Sequence, residues 1–232
     1  MKQILVFCHN YINYEWYETV ENQLNILTKF GIYQNASKIF YGAYAEDKYQ
    51  LYKFIDLVKK YDTYGKIQIV IHPFNDGEKQ TLILLQDVCK NYNDSYVVYY
   101  HTKGVSSKNT LPHCKKNLES WKNLMEHFTL KKWQFAVDSL NNGYDVCGSL
   151  FTTVTHKNLS AKFYLGNFWW AKSNHINKLK DMKQRDHRWG CESWITDTEN
   201  YTWASSMDWN KYASDNTNPY EIFFDPKEYE DL

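Results

Sequence analysis

A polar tripeptide closed by a glycine stands at the end of a strongly β-forming run near the middle of the chain. Residues 95–100 read SYVVYY, and His101, Thr102, Lys103 and Gly104 follow them. β-branched and aromatic residues favour strands, and an abrupt change to polar residues is typical of a buried strand that ends in a site. Lys103 supplies a fixed positive charge, and His101 can donate a hydrogen bond or ligate a metal ion. The tripeptide is therefore suited to binding an anionic group.

Two earlier strand-like runs also end at a histidine. One ends at His9, with Asn10 and Tyr11 next, and the other ends at His72. In open α/β sheets ligands bind beyond the carboxyl ends of the strands, so we expect these residues to line one crevice with His101. By analogy with that fold, His9, Asn10 and Tyr11 would contact the base or ribose of a nucleotide. The alternative is that each histidine is an ordinary strand-end residue.

The C-terminal part of the chain contains an aromatic segment, residues 163–171, with the sequence FYLGNFWWA. We interpret it as one strand in which Gly166 and Asn167 mark a bulge or a close backbone approach. Alternation along a strand turns Trp169 and Trp170 to opposite faces, so only one of them can face a ligand and the other belongs to the core. Asn167 can bind hydroxyl groups, and one indole could stack on a flat ligand or on the apolar face of a sugar.

Glu192 is the candidate general base. It lies between Trp189 and Trp194, whose rings would desolvate its carboxylate and raise its pKa towards a value suited to accepting a proton. A glutamate that pairs or caps at the start of a helix is the alternative. Asp145 and Asp186 are the competing carboxylates, and Asp145 better fits a structural place within a strand.

The elements that must position these residues alternate between strands and helices. Segments with apolar residues at helical spacing separate the strand-like runs. Those runs are residues 4–8, 38–42, 67–71 and 95–100. This order predicts an α/β fold with a mostly parallel, Rossmann-like central sheet and helices on both faces. Because no linker-like segment interrupts the chain, we expect residues 1–232 to form one domain with an aromatic-rich C-terminal region.

Charge and cysteine usage limit the class of protein. Lys and Arg together number 27, as do Asp and Glu, so no net field attracts nucleic acid or anionic lipid. The five cysteines include no Cys-x-x-Cys pair, and Cys8 and Cys147 lie in apolar runs, as small buried hydrophobic residues do. There is no signal-peptide pattern and no apolar run near the roughly 18 residues of a transmembrane helix. We expect a cytoplasmic protein that does not bind nucleic acid.

Several familiar site motifs are absent from the sequence. There is no Gly-x-x-x-x-Gly-Lys phosphate loop, no Gly-x-Gly-x-x-Gly dinucleotide motif and no Gly-x-Ser-x-Gly nucleophile elbow. No His or Cys pair has the spacing of zinc ligands. What remains is an α/β sheet whose central strand ends in a basic cluster, followed by an aromatic segment and a carboxylate.

That order is similar to the order of groups in glycosyltransferases of the GT-A type. Residues 99–104, YYHTKG, the predicted helix that contains Trp121, and residues 166–170, GNFWW, occur in that order. Together they resemble motifs of the rhamnan synthesis protein F family and of related glycosyltransferase-like proteins of bacteria and large DNA viruses. The resemblance covers roughly residues 96–195, and the ordered set of motifs is more specific than His-Thr-Lys alone. The earlier residues fit only at the level of the fold.

The resemblance implies transfer of a sugar, such as rhamnose or another hexose or pentose, from a UDP-, GDP- or dTDP-linked donor. The acceptor would be a hydroxyl of a glycan or glycoprotein, with inversion at the anomeric carbon. Residues 1–104 would form the donor half of the domain and residues 105–232 the acceptor half. The alternative is a catalytically inactive carbohydrate-binding or scaffold protein with a transferase fold.

The resemblance departs from the usual GT-A pattern at the end of the central strand. Most GT-A enzymes carry Asp-x-Asp there to hold Mn²⁺ or Mg²⁺, whereas this chain has His101, Thr102 and Lys103. Negative charge still grows on the departing diphosphate, and a cationic pair of Lys103 and His101 would meet it.

On this resemblance the site residues fall into three groups. The catalytic group is Glu192, Lys103 and His101, and His101 is also the candidate metal ligand. The donor-binding group is His9, Asn10, Tyr11, His72, Thr102 and Gly104. The acceptor-binding group is Gly166, Asn167, Phe168, Trp169 and Trp170.

Overall fold

The computed structural model describes residues 2–13, 15–104, 112–156, 159–185, 188–209 and 219–231. The strands are β1 (Ile4–Ile12), β2 (Ala36–Ala45), β3 (Ile67–Ile71), β4 (Tyr96–His101), β5 (Val146–Gly148), β6 (Phe151–His156), β7 (Leu159–Tyr164), β8 (Trp169–Lys172) and β9 (Trp203–Ser205). The α-helices are α1 (Trp16–Lys29), α2 (Ile32–Asn35), α3 (Lys48–Tyr61), α4 (Lys79–Cys89), α5 (Pro112–Glu126), α6 (Trp133–Asn141), α7 (Ser173–Ile176) and α8 (Arg188–Ser193). A π-helical turn, His127–Lys131, joins α5 to α6.

Seven of these strands form one sheet in the order β3-β2-β1-β4-β8-β5-β9. Neighbouring strands among β3, β2, β1 and β4 are parallel, and β9 is parallel to β5. Only β8 runs against its two neighbours, β4 and β5. Strands β6 and β7 form a separate antiparallel pair. The prediction of an α/β fold with a mostly parallel central sheet is therefore confirmed.

The sheet separates two apolar cores, because side chains alternate between its faces. In β1, Ile4 and Val6 belong to the core beneath α1, α3, α5 and α6, whereas Leu5 and Phe7 belong to the core beneath α4 and α7. Both faces of the central strands are therefore apolar. This is why they appear in the sequence as continuous hydrophobic runs rather than as an alternating pattern.

The aromatic segment differs from its prediction as one strand. Strand β7 ends at Tyr164, and β8 begins at Trp169 in a different sheet. Gly166 and Asn167 lie in the turn between these strands, both with left-handed backbone angles (φ of 82° and 59°). Glycine and asparagine are the residues that most readily adopt such angles, so they end one strand and start another rather than forming a bulge.

Trp169 and Trp170 lie on opposite faces of the sheet, as predicted. The Trp169 ring stacks on Tyr99 with 5.2 Å between centroids, and the Trp170 ring stacks on Trp133 at 6.2 Å. Both indole N–H groups are satisfied inside the protein, by Asn167 Oδ1 and by the Thr129 carbonyl oxygen, each at 2.8 Å. Each tryptophan therefore belongs to a core.

The last described segment, residues 219–231, consists of short 3-10 turns and packs back on the helices. Tyr220 meets the Trp121 ring edge-on at 5.5 Å, and the Tyr229 ring contacts the ring of His127 at 5.2 Å. Cys8 and Cys147 are buried, as predicted, and all five cysteines are free. Within the described stretches, no helix has both the length and the apolar character needed to cross a bilayer.

Candidate functional site

The three strand-end histidines converge at the carboxyl end of the sheet. His9 of β1 pairs in register with His101 of β4 and with Gly42 of β2. The His9 and His72 rings are nearly parallel, with 6.1 Å between centroids. All three histidines are buried. The sheet thus gathers side chains that are far apart in the sequence.

A threonine of α4 lies between two of these histidines. Thr81 Oγ1 is 2.9 Å from His9 Nδ1 and 2.9 Å from His72 Nε2. One hydroxyl can donate to one nitrogen and accept from the other, so the tautomers of His9 and His72 are coupled. Burial lowers the pKa of His9 to about 3 and lowers the pKa of His72 as well, so both rings are neutral at pH 7. Gly42 makes room for this contact, because a Cβ there would overlap Thr81 Oγ1.

Sequence reasoning missed Glu78, the residue that immediately precedes α4. Its Oε2 accepts hydrogen bonds from Tyr99 OH at 2.8 Å and from Asn167 Nδ2 at 2.7 Å. Its Oε1 lies 3.8 Å from His101 Nε2, and the side chain is 12% exposed. Burial alone would raise the pKa of Glu78, but His101, His9 and the two hydrogen bonds outweigh burial and leave that pKa below its ordinary value. The carboxylate is therefore ionised at neutral pH.

His101 is held on the same side of the sheet as Glu78. Its Nε2 is 2.8 Å from the Gly166 carbonyl oxygen, and a carbonyl only accepts, so Nε2 carries a hydrogen. The backbone oxygen of His101 accepts a hydrogen bond from Gln23 Nε2 at 3.2 Å, and Gln23 also contacts the buried Glu126 at 2.9 Å. These contacts fix both the ring and the backbone of His101.

The donor set of the crevice does not fit a divalent metal ion. Within the part of the chain that the structure describes, no three His, Cys, Asp or Glu side chains are placed to hold one. The Nε2 atom of His101 is already committed to Gly166.

Lys103 lies on the other side of the strand end. The chain leaves β4 through a tight turn in which the Lys103 N–H donates to the His101 carbonyl oxygen at 2.9 Å. This turn ends the strand alternation, and Lys103 Nζ lies 4.3 Å from the centroid of the Trp121 ring of α5. Gly104, with φ of +88°, continues the turn. The side chain of Lys103 is only 7% exposed, so its ammonium group is ordered by a cation–π contact.

Lys103 and Gly104 form part of the wall of a cavity of about 600 Å³. The first turn of α1 and the exposed face of α5 form the rest. The charged residues of the wall are Lys103, Lys115, Lys122, Glu15, Glu18 and Glu119. Of the three lysines, only Lys103 is buried. The cavity therefore has exposed or half-buried side chains of both charges around it and one buried lysine, Lys103, in its floor.

Thr102, Asn10 and Tyr11 tie the strand ends together. The Tyr11 N–H donates to Thr102 Oγ1 at 3.1 Å, and the Thr102 N–H donates to the His9 carbonyl oxygen at 3.0 Å. Asn10 is fully buried, and its Nδ2 donates to the Gly42 carbonyl oxygen at 3.2 Å. Thr102 and Asn10 thus have structural roles here, whereas the half-buried Tyr11 remains partly accessible.

The predicted acceptor wall is not accessible in this structure. Asn167 is 1% exposed, and its amide is used by Glu78 and by Trp169. Phe168, Trp169 and Trp170 have no exposed surface. Gly166 is enclosed by Met125 and by Trp121. These residues hold the crevice from behind rather than face a ligand, because the turn between β7 and β8 points inward.

Glu192 lies on α8, a helix that packs on β7 and α4. Its side chain is half-buried. Burial raises the pKa of the neighbouring Cys191 thiol to about 12, and the charges of Glu78, Asp76 and Glu192 act in the same direction. Glu192 and Glu78 are therefore within electrostatic range of one thiol. The competitor Asp186 and the side chain of Trp189 lie outside the described residues.

Asp145, the other competing carboxylate, is structural. Its Oδ2 accepts hydrogen bonds from the Thr202 N–H at 2.9 Å and from the Thr202 hydroxyl at 3.0 Å. These bonds join the chain before β5 to the chain before β9, as a structural aspartate at a strand would.

The fold and the crevice together define an α/β protein with a mostly parallel seven-stranded sheet and a polar cluster at the carboxyl ends of its strands. Within that class, the chain belongs to the family described as "Domain of unknown function (DUF8361)", whose profile matches residues 5–213. No curated protein matches the sequence. A similar solved structure is that of a 4-diphosphocytidyl-2C-methyl-D-erythritol synthase, with 9% identity, a TM-score of 0.47, and coverage of 88% of this chain and 89% of that one.

Proposed function

We propose that this protein is a glycosyltransferase that moves a sugar from a nucleotide-diphosphate donor to a hydroxyl of a glycan or glycoprotein. The observation that carries the proposal is Lys103, a buried lysine at the end of the central strand, in the floor of a cavity of about 600 Å³. The resemblance of residues 99–104 and 166–170 to glycosyltransferase motifs supports the same conclusion.

The proposed role of Lys103 is to neutralise the departing diphosphate. Breaking the bond between the anomeric carbon and the phosphate oxygen leaves the electron pair on the nucleotide diphosphate, so its charge grows in the transition state. An ammonium group already fixed against Trp121 needs little reorganisation to meet that charge. A hydrogen bond to a charged group is worth about 1.5–3 kcal/mol. Lys103 would then contribute roughly tenfold to a hundredfold in rate.

One further feature favours an anionic ligand in the same cavity. The first turn of α1, a helix of 14 residues, lines it, and a helix N-terminus carries partial positive charge. His101 Nε2 donates a hydrogen bond to the Gly166 carbonyl oxygen and so fixes the turn that packs against Trp121. Because the described donor set does not fit a metal ion, Lys103 is the cation of the proposed reaction.

Glu192 is the proposed general base. In an inverting transfer the acceptor oxygen forms a bond to the anomeric carbon as the phosphate oxygen leaves, and the hydroxyl proton passes to a carboxylate. Glu192 is half-buried on α8, which packs on α4, the helix that Glu78 immediately precedes.

Release of nucleotide diphosphate from a panel of UDP-, GDP- and dTDP-sugars tests the proposal, with and without Mn²⁺. Lys103→Met keeps the apolar stem on Trp121 but removes the charge, and it should lower turnover roughly tenfold to a hundredfold. Lys53→Met is a matched control, because Lys53 Nζ lies 4.4 Å from the Tyr49 ring on exposed α3. Equal rates for wild type and Lys103→Met would refute the role of Lys103. Binding of donor or glycan without any release would favour the alternative, a carbohydrate-binding protein.

A further inference from the structure

Glu78 has one carboxylate oxygen that is saturated and one that is not. Oε2 accepts from Tyr99 OH at 2.8 Å and from Asn167 Nδ2 at 2.7 Å, so it is fixed by two donors. Oε1 makes no hydrogen bond to any of the described residues, and its nearest ionisable neighbour is His101 Nε2 at 3.8 Å. With 12% of its side chain exposed, Glu78 presents an ordered oxygen with spare acceptor capacity on the His101 side of the strand end.

Capping of α4 does not account for this arrangement. Glu78 occupies the N-cap position of α4, yet its side chain makes no capping hydrogen bond. The carboxylate is instead directed away from the helix, towards Tyr99 of β4 and the turn at Asn167. Buried carboxylates in structural ion pairs normally have both oxygens hydrogen-bonded, because each unpaired oxygen adds a desolvation penalty.

Glu78 and Lys103 lie on two sides of one turn. Gly166 packs against Trp121, the ring on which Lys103 Nζ lies, and Asn167 holds Glu78. The cation of the cavity floor and the carboxylate are therefore connected through two adjacent residues. Glu78 is not among the residues that line the cavity at Lys103, so a ligand with its diphosphate there would have to extend past the strand end to reach Glu78. A carboxylate in that position accepts hydrogen bonds from hydroxyl groups and repels phosphate.

We propose that Glu78 Oε1 accepts a hydrogen bond from a hydroxyl group of the donor sugar, and that Glu78 thereby selects a nucleotide sugar over the free nucleotide diphosphate. This inference rests on the proposed function, because it takes the ligand to be a nucleotide sugar. Two donors from the protein hold the carboxylate in place before the ligand arrives, so little ordering is lost on binding. Its ionised state makes the hydrogen bond charge-assisted, which is the stronger kind.

Calorimetry with matched pairs of ligands tests the inference. The probes are UDP and UDP-glucose, GDP and GDP-mannose, and dTDP and dTDP-rhamnose. Glu78→Gln keeps the shape of the side chain, and an amide oxygen can still accept from Tyr99 or Asn167. We expect it to weaken binding of the preferred nucleotide sugar by about tenfold or more while binding of the free diphosphate stays within about twofold of wild type. Glu199→Gln, an exposed change of the same chemistry, should alter neither affinity.

Nucleotide sugars that each lack one sugar hydroxyl group allow the inference to be tested by measuring their affinity for the wild-type protein. One such deoxy donor should bind wild type about tenfold more weakly than its parent, and Glu78→Gln should show no further loss with that donor. If Glu78→Gln does not fold, as circular dichroism would show, the wild-type series decides. Wild-type affinities that are equal for every deoxy donor would overturn the role of Glu78.

The outcomes separate this inference from the proposed function. If wild type binds nucleotide sugars and Glu78→Gln binds them equally well, only the role of Glu78 fails. If wild type binds neither the sugars nor the free diphosphates, both proposals fail. Selective loss of the sugar contribution in Glu78→Gln supports both.

Discussion

Replacing Gly166 by alanine perturbs the turn that joins the two sides of the crevice. Gly166 has φ of +82°, and a Cβ built there would overlap Met125 Sδ and lie 3.1 Å from Trp121 Cζ2. A left-handed residue with a Cβ costs about 1–2 kcal/mol. Met125 and Trp121 are both buried, so relieving the overlap requires the Met125 side chain to repack within the core, and overpacking of this kind costs about 1–3 kcal/mol more. We expect Gly166→Ala to lower the free energy of unfolding by about 2–5 kcal/mol.

Gly65→Ala is the matched control for that change. Gly65 also has positive φ, +65°, but a Cβ there meets nothing within 4 Å. Its loss should therefore be the backbone cost alone, about 1–2 kcal/mol. Urea denaturation of both variants gives the comparison, provided that the m-value is unchanged. Equal losses for Gly166→Ala and Gly65→Ala would refute the reasoning, because they would show that the contact with Met125 and Trp121 has no cost.

Three other perturbations follow from the same structure. Burial lowers the pKa of His127 from 6.5 to about 4, so the folded state should lose stability as the pH falls from 6.5 towards 4. In a plot of urea denaturation midpoint against pH, His127→Phe should flatten this region. An unchanged slope would contradict the prediction. Gly42→Ala should displace Thr81 and lower stability by about 1–3 kcal/mol, which unchanged denaturation midpoints would rule out. Tyr229→Ala removes a buried ring from the core and should lower the free energy of unfolding by about 3–5 kcal/mol. A loss below about 1 kcal/mol would show that the C-terminal 3-10 turns do not pack on the helices.

The central sheet could be predicted because its strands are buried on both faces. β3 has the predicted bounds, and β4 departs from its prediction by one residue at each end. β1 and β2 are longer than predicted, since they continue through polar or small residues such as Asn10 and Gly42. Hydrogen bonds with parallel neighbours stabilise those extensions, and the sequence of a single strand does not reveal its neighbours.

The aromatic segment shows why a local pattern was insufficient. Residues 163–171 satisfy the composition of a strand throughout, yet the chain turns at Gly166 and Asn167 and enters a different sheet. A bulge and a turn both place a glycine and an asparagine at a distortion, and only tertiary packing decides between them. Trp121 and Met125 fill the space beside Gly166, so the packing of these side chains favours a turn over a continuous, bulged strand.

The carboxylate of the crevice could not be found by looking at strand ends. Glu78 lies in the loop sequence PFNDGE after His72, and a glutamate there has no distinguishing pattern. It becomes special only through Tyr99, 21 positions away, and Asn167, 89 positions away. Parallel sheets deliver side chains from strand ends, but the loop that enters the next helix reaches the same edge. Such loops are therefore where partners of a strand-end histidine should be sought.

The same limit applies to His101 and Lys103, which the sequence suggests as a cationic pair but which contact different partners in the structure. Two positions apart in a continuous strand, they would share one face of the sheet. The tight turn that follows His101 ends the strand between them, so His101 faces Glu78 while Lys103 reaches Trp121. The consequence is chemical as well as geometric. A cation beside a cavity and a histidine beside a carboxylate can contact different parts of one ligand, which two adjacent cations could not do.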